Sequence, residues 1–355
     1  MKKWLQIVLG LVLAVALVWW IFRDTNWGEL LKALRSMRVS WLLVAVIAVF
    51  ASFVTRVLRW GYIVRTAKPV PFWNLFSATQ IGFLANFTLP ARAGEVIRAL
   101  VLSRSSSLPV PKCLAFVALD RVTDVFGLIT VLFVSALTFH PENSAELAAG
   151  VLPVWAMKLL DPTLIDQAMR TAALLLVGLV GVFIVIYVKQ ELVLRISDAL
   201  FGKISFALAA RARELFQHFA DGLHVFRSKR DMAKALAFSL LTWGLFAVTY
   251  HALLMAFDLP VPWYASFLLL SLVAVVISIP GTPGFVGQFH AAVFAGIFLT
   301  APGTNPDVAR AVAIVAHLFN LVPVVLVGLY CLYHDHMGLL ELRRESTQIK
   351  EQTAE

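Results

Sequence analysis

The sequence has few charged residues, and this scarcity excludes an ordinary soluble domain. Only 14% of its 355 residues are Asp, Glu, Lys or Arg, whereas 60% are hydrophobic and the mean hydropathy is +0.83. Soluble globular domains carry about 25% charged and about 45–50% apolar residues. Apolar runs long enough for membrane helices recur along the whole chain. The composition therefore predicts an all-α polytopic membrane protein, with residues 1–355 forming a single integral membrane domain.

Cysteine and the motifs of common enzymes are also scarce. The two cysteines, Cys113 and Cys331, lie in or beside apolar segments and show no Cys-x-x-Cys spacing, so neither a zinc site nor a disulfide framework is indicated. The chain has no P-loop, no Gly-x-Ser-x-Gly elbow and no His-Glu-x-x-His pair. We therefore expect no cofactor, no metal, no nucleic-acid partner and no enzymatic activity.

Six apolar runs approach or exceed the roughly 20 residues that a helix needs to cross a bilayer. The first run follows Lys2-Lys3, ends in Trp19-Trp20 and lacks a small-residue cleavage site, which predicts a retained signal anchor. The runs are 4–22, 41–64, 112–139, 171–188, 235–257 and 309–333.

Two further apolar regions are interrupted by helix breakers. Region 72–102 is broken at Pro90, and region 264–300 is broken at Pro280-Gly-Thr-Pro-Gly284. The arm 264–279 would be about 24 Å long, whereas the hydrocarbon core is about 30 Å thick. We predict that each region is a re-entrant helix pair. The alternative is that the prolines kink two hairpins of full spans.

The basic residues of the loops predict the orientation. Segment 189–234 carries nine Lys or Arg, whereas segment 140–170 carries only Lys158 and Arg170. The first is therefore predicted to be a cytoplasmic basic loop, and both termini, including the tail 334–355, follow it to the cytoplasmic side. Segment 23–40 is basic yet must lie outside. Its apolar residues are spaced as in an amphipathic surface helix, so residues 1–40 are predicted to comprise the anchor and this helix.

The order of segments predicts two inverted repeats. A helix, a re-entrant pair and a helix occur in 41–139 and again in 235–333, with the second copy upside down relative to the first. Inverted repeats with broken helices that meet near the midplane are typical of secondary transporters.

Three charged clusters lie within the first predicted repeat. A charge at the bilayer centre costs about 2.5–3.5 kcal/mol, so each cluster is a functional candidate. Clustered guanidinium groups at the start of a short helix suit a phosphate. The alternatives are snorkelling for Arg56 and Arg59, and structural ion pairing for the other two clusters. The clusters are Arg56 and Arg59 beside Trp60; Arg92, Glu95 and Arg98; and Asp120, Arg121 and Asp124.

The second interrupted region offers polar groups instead of charges. Backbone amides and Thr282 at its tip, with Gln288 and His290 on the returning arm, could bind an anion or another ion. Its glycines could equally serve close helix packing. His251, His317 and Asn320 are weaker candidates, because a lone histidine within the membrane is more often hydrogen-bonded to a neighbouring helix than a proton carrier.

At these residues the chain resembles the lysylphosphatidylglycerol synthase transmembrane-region family, a flippase-like membrane domain. The resemblance implies transbilayer movement of a lipid and an association with cell-envelope or glycolipid assembly. The matching pieces, in family order, are Arg59-Trp60, Asn86-x-x-x-Pro90-x-Arg92-x-Gly94-Glu95-x-x-Arg98, Asp120-Arg121-x-x-Asp124 and Pro280-Gly-Thr-Pro-Gly284.

This chain departs from the family pattern in two respects. No soluble aminoacyltransferase domain follows residue 333, so lipid synthesis is not expected. Many relatives carry a glutamate after the second tip, where this chain offers Gln288 and His290, and this difference puts an acid-dependent step there in doubt.

The expected function is transport of a lipid with an anionic phosphate headgroup across a bacterial or archaeal cytoplasmic membrane. In this hypothesis Arg92 and Arg98 hold the phosphate, supported by Arg59 and Arg121. Glu95, Asp120 and Asp124 orient the arginines or contact an amine. Two alternatives remain: a lipid-modifying membrane enzyme, and an accessory protein that recruits an envelope glycosyltransferase or lipid-synthesis enzyme.

Overall fold

The computed structural model describes residues 2–89, 93–138, 229–259, 261–278, 282–301 and 303–352, together with isolated positions between 163 and 181. Eleven α-helices and no β-strand occur in these ranges. The helices are α1 (Lys2–Phe22), α2 (Trp27–Arg35), α3 (Val39–Val64), α4 (Phe72–Thr88), α5 (Gly94–Ser106), α6 (Val110–Thr138), α7 (Lys229–Ala256), α8 (Ala265–Ser278), α9 (Gln288–Thr300), α10 (Pro306–His334) and α11 (Leu339–Gln352).

Helix lengths and composition confirm the predicted all-α polytopic membrane class. Within the described ranges, α3, α7 and α10 are long and apolar enough to cross a membrane. The predicted spans 4–22, 41–64, 112–139, 235–257 and 309–333 coincide with α1, α3, α6, α7 and α10 to within a few residues, except that α7 starts six residues earlier than predicted.

The C-terminal end of the predicted cytoplasmic loop 189–234 is helical. Residues 229–234 form the first turns of α7, where Asp231 pairs with Arg65 at the end of α3. This contact joins the start of α7 to the end of α3. The rest of that loop lies outside the described residues. The predicted span 171–188 also lies outside them, apart from isolated helical positions.

The amphipathic helix predicted in residues 23–40 is present as α2. Asn26 caps it, because its side-chain oxygen accepts hydrogen bonds from the N–H groups of Gly28 and Glu29. Leu30 and Ala33 are buried against the first turns of α10, whereas the basic residues face outward. The apolar stripe therefore packs on the helical bundle.

Each interrupted region forms a hairpin of two short antiparallel helices. The arms contain 17 and 13 residues in α4 and α5, and 14 and 13 residues in α8 and α9. At 1.5 Å per residue the longest arm is about 26 Å, which is shorter than a hydrocarbon core of about 30 Å. This geometry suits a re-entrant pair, and the depth of each pair in a bilayer stays a prediction.

The first hairpin is held at both ends by asparagine side chains. Asn74 donates from Nδ2 to the Ser105 carbonyl at 2.9 Å near the open end, and the Gly94 N–H donates to Asn86 Oδ1 at 2.9 Å near the tip. Between these points the arms approach so closely that a Cβ atom on Gly94 would overlap the carbonyl oxygen of Gly82. Glycine is required at position 94 because it lets the two backbones touch.

The long helices α3 and α7 lie antiparallel along their whole length. Arg38 contacts Asp258 at one end, the Thr55 and Thr242 hydroxyls are 2.8 Å apart in the middle, and Arg65 pairs with Asp231 at the other end. We call α3–α6 the first half and α7–α10 the second half.

Packing around this helix pair is reciprocal. The first arm of each hairpin packs on the last helix of the opposite half, so that α4 contacts α10 and α8 contacts α6. The second arm of each hairpin packs on the last helix of its own half. The same packing pattern in both halves supports the division into inverted repeats at 41–139 and 235–333. The inverted repeat stays a prediction.

The two hairpin tips meet between the halves. The Phe87 ring, at the end of α4, contacts the Phe285 ring at 5.3 Å between centroids. Phe285 belongs to a short 3-10 turn in which Gly284 has φ +61°, a backbone conformation that favours glycine. The tips therefore form a direct contact between the first and second halves.

A cross-link would test the exchanged packing. The Ser135 and Ser271 hydroxyls, on α6 and α8, are 2.8 Å apart. In a chain whose native Cys113 and Cys331 are replaced by serine, we expect Ser135→Cys and Ser271→Cys to form a disulfide on oxidation, detected by peptide mass spectrometry. The control pairs Ser135→Cys with Ser278→Cys, about 10 Å further along α8. Equal cross-linking in both pairs would contradict the packing.

Candidate functional site

A cavity of about 570 Å³ lies between the two halves, beside the meeting hairpin tips. The described residues of its wall carry four charged side chains, and all four come from the first half. The second half contributes mainly apolar and aromatic groups. The charged residues are Arg56, Glu95, Arg121 and Asp124; the second half includes Trp243, Phe246, Leu270, Val273, Phe285, Phe289, Ala316, Phe319 and Asn320.

Arg59 and Asp120 form a buried ion-pair network behind this wall. Arg59 donates from Nε to Asp120 Oδ1 at 2.9 Å and from Nη1 to Asp124 Oδ1 at 2.7 Å. It also donates to the Ser239 hydroxyl of α7 at 3.2 Å. Arg59 and Asp120 are each only 1% exposed. Arg59 thus binds three helices together, and it neither snorkels nor reaches the cavity.

Arg98 extends the same network toward the first hairpin. Its Nη1 donates to Asp120 Oδ2 at 2.6 Å, and its guanidinium lies 3.7 Å from the centroid of the Trp60 ring. The side chain is 1% exposed and is not part of the cavity wall. Arg98 was expected to hold a phosphate; in this conformation it is instead a buried partner of Asp120. Arg92, the other expected phosphate ligand, lies outside the described residues.

Glu95 and Arg121 connect the network to the cavity. Arg121 donates from Nη2 to Glu95 Oε1. The distance from Arg121 Nη1 to Asp124 Oδ2 is 3.4 Å. Asn86 Nδ2 also reaches Glu95 Oε1 at 3.4 Å, while its carbonyl oxygen accepts from the first N–H of α5. Asn86 therefore accepts, from across the hairpin, one of the N–H groups that the start of α5 leaves free.

Arg56 also lines the cavity, although the sequence did not decide whether it faces the protein interior or the lipid headgroups. Its guanidinium lies between Phe83 of α4 and Phe246 of α7, 4.8 Å and 5.2 Å from the ring centroids. Snorkelling to the lipid headgroups was one interpretation, but the side chain faces the interior cavity. Phe246 and Trp243, three residues apart on α7, carry the sequence signal for this face, because aromatic residues at that spacing share one side of a helix.

The described polar side chains of the second tip bond to neighbouring backbone and to each other. Gln288 Oε1 accepts from the Thr282 N–H at 3.0 Å, and Gln288 Nε2 donates to the Val276 carbonyl at 3.3 Å. The Thr282 hydroxyl donates to the Val286 carbonyl at 2.6 Å. Thr282 and Gln288 therefore close the tip in this conformation and do not line the cavity.

Two histidines lie together near the second tip, and His251 lies apart from them. His317 Nε2 lies 2.8 Å from the Gly284 carbonyl, and the His290 and His317 rings are 4.6 Å apart. Neither ring lines the cavity. His251 packs edge-on against Trp41. Asn320, predicted beside His317, does line the cavity. Within the described ranges, no group of three metal-ligating side chains occurs.

Comparison with known proteins decides the family. A sequence model described as the lysylphosphatidylglycerol synthase TM region matches residues 7–328, which is most of the chain. The protein belongs to this family.

Curated relatives of this lysylphosphatidylglycerol synthase TM-region protein include two UPF0104 membrane proteins of archaea. The Pyrococcus horikoshii protein is 26% identical over 251 residues, which cover 69% of this chain and 71% of the relative. The Methanothermobacter thermautotrophicus protein is 23% identical over 334 residues, which cover 90% of this chain and 91% of the relative. Family membership and these relatives agree with a multi-pass membrane protein.

A third relative has a different name. The glycosyltransferase AglD of Haloferax volcanii is 25% identical over 367 residues, which cover 98% of this chain but only 57% of AglD. The chain therefore spans little more than half of that relative's length. No solved structure matches the chain significantly.

The motifs that carried the family resemblance converge in this lysylphosphatidylglycerol synthase TM-region protein. Arg59-Trp60, the described part of the first hairpin motif, and the Asp120 to Asp124 motif form one ion-pair network against the cavity. Their described members lie in two positions. Arg59, Arg98 and Asp120 are buried behind the cavity wall, whereas Glu95, Arg121 and Asp124 line the cavity.

Proposed function

We propose that this protein moves a phosphate-bearing lipid, such as a phosphatidylglycerol derivative or a polyprenyl phosphate, across a cytoplasmic membrane without changing it chemically. The supporting observation is the cavity between the hairpin tips, which combines charged side chains from one half with apolar and aromatic surface from the other. A lipid headgroup and the start of its tail require these two environments side by side.

The position of the hairpins suits this function. Broken helices within a membrane are tolerated where protein covers them or where they line a wet cavity. The two tips meet beside this cavity, and transporters with inverted repeats bind substrate at such a junction. In the proposed orientation both termini are cytoplasmic and the host is a bacterium or archaeon, as the archaeal relatives suggest.

A second candidate is an accessory role in envelope glycolipid assembly. The observation that favours it is the alignment of nearly the whole chain with part of a relative named as a glycosyltransferase. In this role the protein would recruit or present lipid to a glycosyltransferase or lipid-synthesis enzyme. A lipid-modifying enzyme is less well supported, because no histidine is among the described residues of the cavity wall beside Glu95 and Asp124.

Blocking the cavity tests the transport proposal. In proteoliposomes containing a fluorescent phospholipid, we expect Ala316→Phe to reduce translocation to the background of protein-free vesicles, because Ala316 lines the cavity. The control is Leu326→Phe on the outward face of the same helix, where the side chain is 62% exposed. Equal translocation by both variants would contradict passage through this cavity. Chemical change of the lipid would indicate an enzyme, and neither translocation nor change would favour the accessory role.

A further inference from the structure

Arg56 differs from the other arginines of the site because it has no acidic partner in the described part of the chain. Arg56 lies about 12 Å along the axis from the end of α3 at Val64 and about 26 Å from its start at Val39, so it is remote from both helix ends. Its side chain lines the cavity. An arginine within a membrane span is costly and is therefore a functional candidate when no acid neutralises it.

The acids near Arg56 are already bonded to other arginines. Asp120 accepts from Arg59 and Arg98, and Glu95 accepts from Arg121. Asp124 accepts from Arg59 at 2.7 Å and from the Trp243 indole at 3.2 Å, and its second oxygen faces Arg121 at 3.4 Å. Among the described residues, no acid lies within ion-pair distance of Arg56.

Two aromatic rings hold the Arg56 guanidinium in place. Phe83 comes from the first hairpin and Phe246 from α7, so the group is clamped by both halves. A cation over an aromatic ring is attracted by the ring's electrons, which orients the guanidinium without using its hydrogen-bond donors. Among the described residues the Arg56 guanidinium makes no hydrogen bond, and its Nε is buried. The clamp therefore leaves the two Nη groups as the donors that can face the cavity.

We propose that Arg56 is the residue that binds the phosphate of the transported lipid, with its guanidinium positioned by Phe83 and Phe246. This inference rests on the proposed function and refines it, because it moves phosphate recognition from Arg98 to the cavity wall. A phosphodiester carries one negative charge and accepts hydrogen bonds from a guanidinium fork. The occupant is a lipid, since the wall continues from Arg56 into Phe53 and the apolar surface of the second half.

Native mass spectrometry of the full-length protein tests this assignment. The purified protein is incubated with phosphatidylglycerol or with diacylglycerol of the same acyl chains, which lacks the phosphate. Wild type should prefer phosphatidylglycerol, and this preference should fall about tenfold, or about 1.4 kcal/mol, in Arg56→Gln, because the variant loses a hydrogen bond between two charged groups. Arg65→Gln is the matched control, since Arg65 is exposed and paired with Asp231 away from the cavity.

A lysine variant separates phosphate binding from a structural role. Arg56→Lys keeps the charge but loses the fork, so its preference should lie between wild type and Arg56→Gln. If Arg56→Gln does not purify, weaker phosphatidylglycerol binding by Arg56→Lys, with unchanged diacylglycerol binding, supports the assignment. Unchanged preference in Arg56→Gln, or wild-type preference in Arg56→Lys, overturns it. Glycerol 3-phosphate binding as tightly as phosphatidylglycerol would overturn a lipid occupant.

The binding and transport outcomes are distinguishable. Arg56-dependent lipid binding without translocation by wild type would remove the proposed transport function and keep the phosphate site. Translocation by wild type with an unaltered Arg56→Gln variant would keep transport and reject the site.

Discussion

Replacement of Asp120 by alanine is expected to destabilise the protein by about 3–5 kcal/mol, because it leaves two buried guanidinium groups without their shared acid. Asp120 accepts from Arg59 at 2.9 Å and from Arg98 at 2.6 Å, and all three residues are about 1% exposed. Arg59 retains Asp124, whereas Arg98 loses its one acid at ion-pair distance among the described residues. The measurement is thermal unfolding in detergent, followed by the loss of monodisperse protein.

The control for this prediction is an exposed ion pair in the same protein. Asp258 pairs with Arg38 between α3 and α7, with more than half of each side chain exposed. Solvent screens such a pair, and Arg38→Ala is expected to cost at most about 1 kcal/mol. If the unfolding temperature fell equally in the two variants, the buried network would contribute no more to stability than the exposed pair.

The second large effect is expected for Gly94→Ala, which should separate the arms of the first hairpin. The added methyl group would overlap the carbonyl oxygen of Gly82 and the side-chain amide of Asn86. Overpacking of this kind typically costs about 1–3 kcal/mol, and here the obstruction includes backbone. The shift would also weaken the bond from the Gly94 N–H to Asn86 and displace Glu95 from Arg121. We expect lower thermal stability and loss of lipid binding together.

Gly244→Ala provides the matched control for the hairpin. Gly244 lies within α7, and a Cβ atom there would meet nothing within 4 Å. Alanine is favoured over glycine inside a helix by about 1 kcal/mol, so this variant should be as stable as wild type or slightly more so. Wild-type behaviour of Gly94→Ala would show that the arms separate without cost, contrary to the close contact of Gly82 and Gly94.

Hydropathy and helix breakers were sufficient to predict most of the helical segments. Runs of about 20 apolar residues gave the positions of α1, α3, α6 and α10 to within a few residues. This is because the thickness of the bilayer fixes how many apolar residues a spanning helix needs. Pro90 and Pro280 marked the two hairpins, since proline ends a helix locally. The helix α7 starts six residues before the predicted span because its first turns are charged, and hydropathy does not mark a charged segment as helical.

The charged residues of the site could be found by spacing, but their roles could not. The three-residue and four-residue intervals placed Glu95 beside Arg98 and Asp120 beside Asp124 on their helices. In the structure, however, Glu95 pairs with Arg121, and Arg98 pairs with Asp120. Whether an arginine faces a cavity or a buried acid depends on helices brought together from distant segments. Phe246, which contacts Arg56, lies 190 positions after it along the chain. Local periodicity carries no information on such a contact.

The pairing of α3 with α7 implies that ionic strength should modulate motion between the halves. The ends of this pair are joined by the Arg38–Asp258 and Arg65–Asp231 contacts near the surface, whereas its centre is joined by the Thr55 and Thr242 hydroxyls. Salt weakens attraction between exposed charges and leaves a buried hydroxyl contact nearly untouched. At high salt the ends of the two helices would separate more easily while their centres stay in contact. Relative rotation of the two halves about this midpoint would then become easier, and the bundle would stay folded.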